Sequence, residues 1–132
     1  MAASEPWIRL GRGLAACRQA CARPAHELLV IRDADGPCGF VLVHPRGVAG
    51  SPYVASIAVA PERRGEGIGG RLLGFVEDRF RPEARHIFLC VSSFNAGARR
   101  FYEREGYVAV GEFADYIVDG ASEILMHKWL RR

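Results

Sequence analysis

Four glycines between positions 65 and 70 form the part of this sequence whose composition points most directly to chemistry. They lie in Gly65-Glu-Gly-Ile-Gly-Gly70, after an apolar run at residues 53–60 and a charged turn at 61–64. Because glycine has no side chain to hold a ligand away from the backbone, several N–H groups of such a loop can converge on one anion. Residues 71–80 are amphipathic and predicted to be helical, and a helix N-terminus favours negative charge. The sequence therefore predicts a phosphate site.

Several phosphate-binding motifs share this glycine spacing. Gly65-x-Gly67-x-x-Gly70 fits the dinucleotide fingerprint, which also needs its first glycine directly after the strand and an acidic residue about 20 positions on. Here residues 61–64 intervene, and the predicted strand at 86–93 carries no carboxylate. A P-loop is excluded because no Gly-Lys-Ser/Thr follows, and a kinase loop because no catalytic-loop signature follows. A nucleotide-binding domain that prefers NAD or ATP remains an alternative.

The overlapping spacing Arg64-x-x-Gly67-x-Gly69, after a strand and a Pro-Glu-Arg turn, resembles the acetyl-CoA pyrophosphate loop of the GNAT N-acetyltransferase superfamily. Downstream, Ser93-Phe-Asn95 and Ala98-Arg-Arg-Phe-Tyr102 are similar to the family's second cofactor-contacting segment, in which an Asn opens a helix and a Tyr lies inside it. The two motifs occur in the family's order, about one strand apart. The resemblance covers roughly residues 26–130.

This resemblance implies an acetyl-CoA-dependent N-acetyltransferase that transfers the acetyl group to a primary amine of a small molecule, peptide or protein, with CoA as product and no metal. The amine attacks the thioester directly. A non-catalytic acyl-CoA-binding module is the alternative, since the 86–92 strand lacks the carboxylate that many members carry there. The cofactor-binding residues that the resemblance implies are Ile57, Val59, Arg64, Gly65, Glu66, Gly67, Ile68, Gly69, Gly70, Asn95 and Tyr102.

Tyr102 lies where the family places a tyrosine near the CoA sulfur, which implies that it is the catalytic general acid. A phenol has a pKa of about 10 and a thiol about 8.5, so the phenol can donate a proton to the thiolate as it forms. The alternative is an aromatic side chain that only packs beside Phe101. Asn95 also has two alternative roles, which are contact with the cofactor and capping of the helix N-terminus, and both can be true at once.

No general base is assigned. Cys90 stands where members that acetylate protein N-termini often carry a Glu, and a buried thiol is favoured there over an acyl-carrying nucleophile. An α-amine, with a pKa of about 7.7 to 8.0, is already partly neutral at pH 7, so it depends less on a general base than a lysine side chain with a pKa of about 10.4. Water relayed by Glu112, Asp115 or Glu123 is possible, although such acids are more often solvated surface groups.

The hydrophobic pattern predicts the elements that position these residues. A strand, helix and strand at 53–60, 71–80 and 86–92 form a crossover and should place the two strands parallel. In the helix, the predicted apolar face is Ile68, Leu72, Phe75, Val76 and Phe80. The pattern also predicts a helix at 4–23, a hairpin of 26–32 with 39–44 around a turn at 33–36, and a loop at 45–52. It further predicts a helix that Asn95 begins and Gly106 ends, and strands at 107–112 and 122–129 that a substrate lip at 113–121 joins.

Taken with the resemblance, this order predicts a mixed α/β (α+β) domain spanning residues 1–132. Its central sheet is mostly antiparallel, with one parallel, splayed strand pair and helices on both faces, as in the GNAT fold. Family members normally begin with a further strand and helix, for which this sequence has no residues. We expect the natural start to lie upstream; otherwise a partner must cover an exposed sheet edge.

Composition narrows the class further. At 132 residues the chain fits one domain, and 49% hydrophobic with 25% charged residues is ordinary for a globular protein. The net charge of +3 comes from basic residues spread along the chain, so no nucleic-acid partner is expected. The four cysteines contain no C-x-x-C pair, and neither a signal peptide nor a long apolar run is present. These features predict free thiols, no membrane partner and a cytoplasmic monomer or homodimer.

Overall fold

The computed structural model of the chain describes residues 26–117 and 119–132, which form one six-stranded sheet and two α-helices. The elements are β1 (Glu27–Asp33), β2 (Gly36–Val48), β3 (Ser51–Val59), a 3-10 turn (Pro61–Arg63), α1 (Ile68–Phe80), β4 (His86–Ser92), α2 (Ala96–Arg104), β5 (Val108–Ala114) and β6 (Ser122–Trp129). The sheet order is β1-β2-β3-β4-β6-β5, and β3 with β4 is its single parallel pair. The predicted α+β architecture is confirmed. Neither described helix has the length and apolar content that a membrane span requires.

The first hairpin is longer than predicted. β1 and β2 pair antiparallel around the turn after Asp33, as expected, but β2 continues to Val48. The loop predicted for residues 45–52 is therefore wrong: Ala49 and Gly50, both with positive φ, make a two-residue turn directly into β3. Pro45 lies in an irregular stretch of register, where the ladder does not need the N–H that proline lacks.

The helix after the glycine loop begins earlier than predicted. Gly67, in the left-handed conformation with φ of 79°, is the N-cap of α1, so Gly69 and Gly70 lie in its first turn. A methyl group on Gly69 would lie 3.1 Å from Cζ of Phe101, and one on Gly70 would lie 3.1 Å from a carboxylate oxygen of Glu105. These two glycines therefore allow α2 to approach α1 closely.

One residue of the predicted apolar face of α1 was wrong. Phe75 is 51% exposed, whereas Leu73 is fully buried. The other four predicted positions are buried as expected. Leu73 lies three residues before Val76 and Phe75 lies three residues after Leu72, so helical spacing allows either to extend the apolar face, and only the position of the sheet decides between them.

Both described helices cover the same face of the sheet. They contribute to one hydrophobic cluster that also takes alternate residues from the strands, such as Ile87, Leu89 and Val91 of β4. The helix predicted for residues 4–23 lies outside the described residues.

A buried polar network ties the two helices to β6. Lys128 donates through Nζ to Oε1 of Glu77 at 2.9 Å and to the backbone oxygen of Glu105 at 2.8 Å. Tyr107 donates to the other Glu77 oxygen at 3.0 Å. Burial, followed by the charge of Glu77, raises the pKa of Tyr107 far above its ordinary value. The network joins the middle of α1 to the end of α2.

Replacing Lys128 with Met should destabilise the fold by about 3 kcal/mol, because it leaves the Glu77 carboxylate buried without its cation. The Glu77 side chain is 9% exposed. The midpoint of urea denaturation measures the loss. Arg99→Met is the matched control, since Arg99 and Glu103 are an exposed pair 4.0 Å apart, and it should change stability by less than about 0.5 kcal/mol. Equal losses in the two variants would contradict the prediction.

Candidate active site and cofactor groove

The parallel strands β3 and β4 separate soon after they meet. They pair only at Tyr53 with Phe88 and at Val54 with Leu89. At the same point β3 carries a bulge: Leu42 opposes Ser56 and Val43 opposes Val54, which leaves Ala55 as the extra residue. A bulge bends its strand and interrupts the ladder. The splay predicted from the resemblance is thus present, and an opening lies between the strands beyond it.

A groove of about 730 Å³ runs from this opening to the start of α1. Its walls are the end of β3, the glycine loop with the first turn of α1, and one side of α2. All but one of the predicted cofactor residues line it: Ile57, Val59, Arg64, Gly65, Gly67, Ile68, Gly69, Gly70, Asn95 and Tyr102. The structure therefore brings together residues that the sequence separates by up to 45 positions.

The start of α1 is a set of open hydrogen-bond donors in this groove. Gly67 provides no side-chain cap, and the first turn contains no acidic residue. The first N–H groups of a helix have no partner within the helix, and its dipole adds positive charge there. Gly65, with φ of 84°, has open space where a side chain would be. This end of the groove therefore presents the backbone donors that an anion would require.

The arginines around the glycine loop differ in whether they form ion pairs with described residues. Arg63 is engaged, because it pairs with Asp33 and donates to Glu66 at 3.0 Å. Glu66, the predicted cofactor residue that does not line the groove, is occupied by that pair. Arg64 and Arg104 also line the groove, and neither forms an ion pair with any residue that the structure describes. Two guanidinium groups therefore remain available for a bound anion.

A second, smaller cavity of about 160 Å³ lies between the splayed strands. It is lined by residues of β3, β4 and α2, by Glu123 of β6 and by Ile117 from the predicted lip segment. Four residues line both the cavity and the groove: Ile57, Asn95, Ala98 and Tyr102. The groove and the cavity therefore meet at these side chains.

Tyr102 stands at this junction with its hydroxyl unused. The residue is 8% exposed, yet among the described residues its hydroxyl has no hydrogen-bond partner. Burial raises its pKa to about 12. The Tyr107 hydroxyl, by contrast, donates a hydrogen bond to Glu77. The Tyr102 hydroxyl is therefore free to form a hydrogen bond with a molecule in the groove.

Asn95 combines the two tasks that the sequence left open. Its side-chain oxygen accepts the N–H of Ala98 at 3.1 Å, which confirms the predicted N-cap of α2. Gly106, with φ of 98°, follows the end of the helix as predicted. The side chain of Asn95 also borders both the cavity and the groove. The cap therefore fixes a polar group at the junction.

The three acids considered as relay bases lie in different places. Glu112 is exposed on β5, and Asp115 accepts the N–H of Gly120 at 2.6 Å outside both cavities. The expectation that Glu123 is a solvated surface acid was wrong: it is 9% exposed and lines the cavity. It is buried because it faces Ser92 across the β4–β6 ladder, and Ser92 donates to Oε2 at 2.5 Å.

Cys90 was expected as a buried core thiol, but it lines the same cavity and is only half-buried. Burial raises its pKa, and the charge of Glu123 adds to that increase, while a hydrogen bond with Tyr53 opposes it. The thiol form therefore predominates. Cys38 is a buried free thiol, as expected.

Sequence reasoning missed several residues of the site, among them Tyr53, Ser92, Phe101 and Arg104. Ser92 and Glu123 are 31 positions apart, so no local pattern joins them. The feature that would have identified them is the pairing of the strand after the crossover with the last strand, because this pairing places Ser92 opposite Glu123. Arg104 could have been found from helical spacing, since it follows Phe101 by three positions on α2.

Comparison with known proteins identifies this architecture. The family model described as Acetyltransferase (GNAT) family matches residues 3–107 of the chain. The chain belongs to the GNAT acetyltransferase family. An uncharacterized N-acetyltransferase of Methanocaldococcus jannaschii is 41% identical to this GNAT protein over 81 residues, which are 60% of the chain and 52% of the relative. The chain thus spans about half the length of that curated relative.

Solved structures of acetyltransferases are also similar to this chain. A nourseothricin acetyltransferase is 32% identical, with a TM-score of 0.74 over 81% of this chain and 66% of its own. Two more distant structures share the fold of this GNAT domain. An aminoglycoside 6'-N-acetyltransferase complexed with coenzyme A is 19% identical, with a TM-score of 0.78 over 96% and 85%. The ribosomal-protein-S18-alanine N-acetyltransferase of Escherichia coli is 15% identical, with a TM-score of 0.77 over 98% and 91%.

Proposed function

We propose that this GNAT protein is an N-acetyltransferase that transfers the acetyl group of acetyl-CoA to a primary amine of a small molecule, peptide or protein. The observation that carries the proposal is the junction of the groove with the cavity, where the hydroxyl of Tyr102 has no partner among the described residues. Family membership and a coenzyme A complex of a protein with the same fold support acetyl-CoA as the cofactor.

In this proposal the groove binds the cofactor. The pyrophosphate accepts hydrogen bonds from the N–H groups of the glycine loop and the first turn of α1, beside Arg64. The pantetheine arm lies along Ile57–Val59, where β3 has no strand partner on the β4 side and its amides can pair as an added strand would. The proposed cofactor residues are Ile57, Val59, Arg64, Gly65, Glu66, Gly67, Ile68, Gly69, Gly70, Asn95 and Tyr102. Glu66 acts indirectly, by accepting a hydrogen bond from Arg63, which also lines the groove.

The thioester then lies at the junction, with its acetyl group towards the cavity. A backbone N–H of the splayed β3 segment polarises the carbonyl, since a fixed donor stabilises the charge that develops on oxygen. The amine nitrogen attacks the carbonyl carbon, the C–N bond forms and the C–S bond breaks. Tyr102 donates its proton to the departing sulfur, because its hydroxyl lies at the junction and has no partner among the described residues.

A thermal-shift screen with acetyl-CoA, longer acyl-CoAs, NAD and ATP tests the binding half of the proposal. A ligand at about 100 times its Kd stabilises the native state by about 2.7 kcal/mol. We expect a rise in Tm with acetyl-CoA and none with NAD or ATP. No shift with any CoA would refute the proposal, and a shift with NAD or ATP instead would favour the nucleotide-binding alternative.

Release of free CoA thiol across a panel of primary amines tests the catalytic half. Turnover with one or more amines is expected. Tight acetyl-CoA binding without turnover on any amine would instead support the non-catalytic acyl-CoA-binding module. The cytoplasmic location and the state as monomer or homodimer stay predictions of the sequence.

A further inference from the structure

Glu123 carries a carboxylate oxygen that the fold leaves open. Oε2 accepts the Ser92 hydroxyl, while Oε1 has no hydrogen-bond partner among the residues the structure describes. The residue is 9% exposed and lines the 160 Å³ cavity. A buried carboxylate is costly unless it is paired. Its free oxygen is therefore directed to a group that the cavity receives.

The described residues around Glu123 supply no cation. The titratable groups that line the cavity with it are Tyr53 of β3, Cys90 of β4 and Tyr102 of α2. Burial raises the pKa of Tyr53, with smaller contributions from Cys90 and Glu123, so this phenol stays protonated. Burial likewise favours the neutral forms of Cys90 and Tyr102. None of the described ion pairs includes Glu123.

The sheet places this carboxylate on the other side from the helices. Ile124 and Met126 of β6 belong to the cluster that packs against α1 and α2, and alternation turns Glu123 to the opposite face. Ser92 follows Val91 in the same way on β4. The opening between the splayed strands thus has Tyr102 on its helix side and Glu123 on its far side.

We propose that Glu123 binds the ammonium group of the acceptor amine and removes its proton, with Ser92 as the residue that positions its carboxylate. This inference rests on the proposed acetyltransferase function and adds the general base that the sequence did not assign. A carboxylate attracts a primary ammonium ion through charge and hydrogen bonds together. The acceptor is thus a cation when it binds and a neutral nucleophile when it reacts.

The protons balance as follows. The ammonium gives one proton to Glu123, which passes it to solvent, and the neutral nitrogen attacks the thioester carbon. As the C–N bond forms, the nitrogen loses a second proton. Tyr102 gives its proton to the sulfur as the C–S bond breaks, and the second nitrogen proton restores the phenol. The products are the amide and the CoA thiol, with one proton released.

The cavity also limits the acceptor. A volume of about 160 Å³ holds about five water molecules at about 30 Å³ each. That space accommodates an ammonium group and the first carbons of its chain, with Ile117 at the rim. We therefore expect an acceptor whose primary ammonium group enters this cavity.

Glu123→Gln tests the inference, because glutamine keeps the shape and the acceptor for Ser92 but cannot take the proton. With a primary alkylamine at about pH 7, kcat/KM should fall by about 10²–10⁴-fold. The deficit should shrink as the pH rises towards the pKa of the amine, because the free amine then needs no base. Hydroxylamine, which is largely neutral at neutral pH, should react nearly as fast with the variant as with the wild type.

Two further variants separate the proposed role from a structural one. Ser92→Ala should lower kcat/KM less than Glu123→Gln, since it removes the positioning residue and keeps the base. Glu83→Gln, at an exposed carboxylate paired with Arg79, should leave kcat/KM unchanged. The acetyl-CoA shift in Tm should be the same in all of these proteins.

The outcomes distinguish this inference from the function on which it rests. A Glu123→Gln protein that binds acetyl-CoA and turns over alkylamines at the wild-type rate overturns the inference alone. The inference is also overturned if the loss is equal for hydroxylamine and independent of pH. A wild type that binds no acyl-CoA, or acetylates no amine, overturns the proposed function and the inference together.

Discussion

Replacing Tyr102 with Phe should lower kcat for a saturating primary amine by about 10²–10⁴-fold, the usual contribution of a positioned acid. Phe keeps the aromatic ring that packs beside Phe101 and Tyr107 and removes only the hydroxyl. That hydroxyl has no partner among the described residues, so its loss leaves no buried group unsatisfied. The measurement is release of free CoA thiol at saturating acetyl-CoA. The Kd of acetyl-CoA should stay near the wild-type value.

Tyr107→Phe is the matched control on the neighbouring ring. It removes the hydroxyl that donates to Glu77 and should cost about 1–3 kcal/mol of stability, because a buried carboxylate oxygen loses its donor. The kcat of the folded protein should not change. If Tyr102→Phe instead lost stability and kept its turnover, Tyr102 would be a packing residue and not the acid.

The pH dependence of stability gives an independent check on Tyr102. Burial raises its pKa from 10.0 to about 12, so the folded state holds the proton more tightly than the unfolded state. That contribution to stability is complete below pH 10.0 and is lost as the pH rises towards about 12. Tyr102→Phe should lose this part of the alkaline decline. The comparison needs the unfolding free energy of both proteins across that pH range.

Replacing Gly67 with Val should weaken acetyl-CoA binding by about 100-fold, equivalent to about 2.7 kcal/mol. Gly67 has φ of 79°, and a β-branched residue in that region is strained. Relief of the strain turns the loop and the first N–H groups of α1 away from the groove. Isothermal titration with acetyl-CoA measures the effect, and circular dichroism verifies that the variant is folded.

Gly74→Ala is the control for that variant. Gly74 lies in the interior of α1, has no positive φ and has open space around the position of a Cβ atom. Alanine there should stabilise the helix by about 1 kcal/mol and leave the affinity for acetyl-CoA unchanged. A folded Gly67→Val protein with wild-type affinity would exclude the glycine loop from the cofactor site.

Local pattern was enough for much of the fold. The crossover at β3, α1 and β4 follows from the lengths and order of two apolar runs and one amphipathic segment, and the structure has it. The hairpin of β1 with β2 follows from its turn residues, and the N-cap at Asn95 from the hydrogen bond its side chain makes. Where local signals disagreed with packing, the prediction failed. Pro45 and Gly47 indicated a loop, but β3 keeps β2 extended to Val48.

The sequence by itself determined features that lie within one element, namely the glycine loop and the place of Tyr102 inside α2, although α1 begins three residues earlier than its pattern predicts. Only the tertiary structure decided that Tyr107 has a hydrogen-bond partner while Tyr102 has none among the described residues. It also decided that Asp33 and Glu66, within that part of the chain, pair with Arg63 and not with Arg64, and that Glu123 is buried beside Ser92. The reason is physical. A side chain's burial and partners depend on strands that are distant in sequence and adjacent in the sheet, and periodicity within a single element contains no information about them.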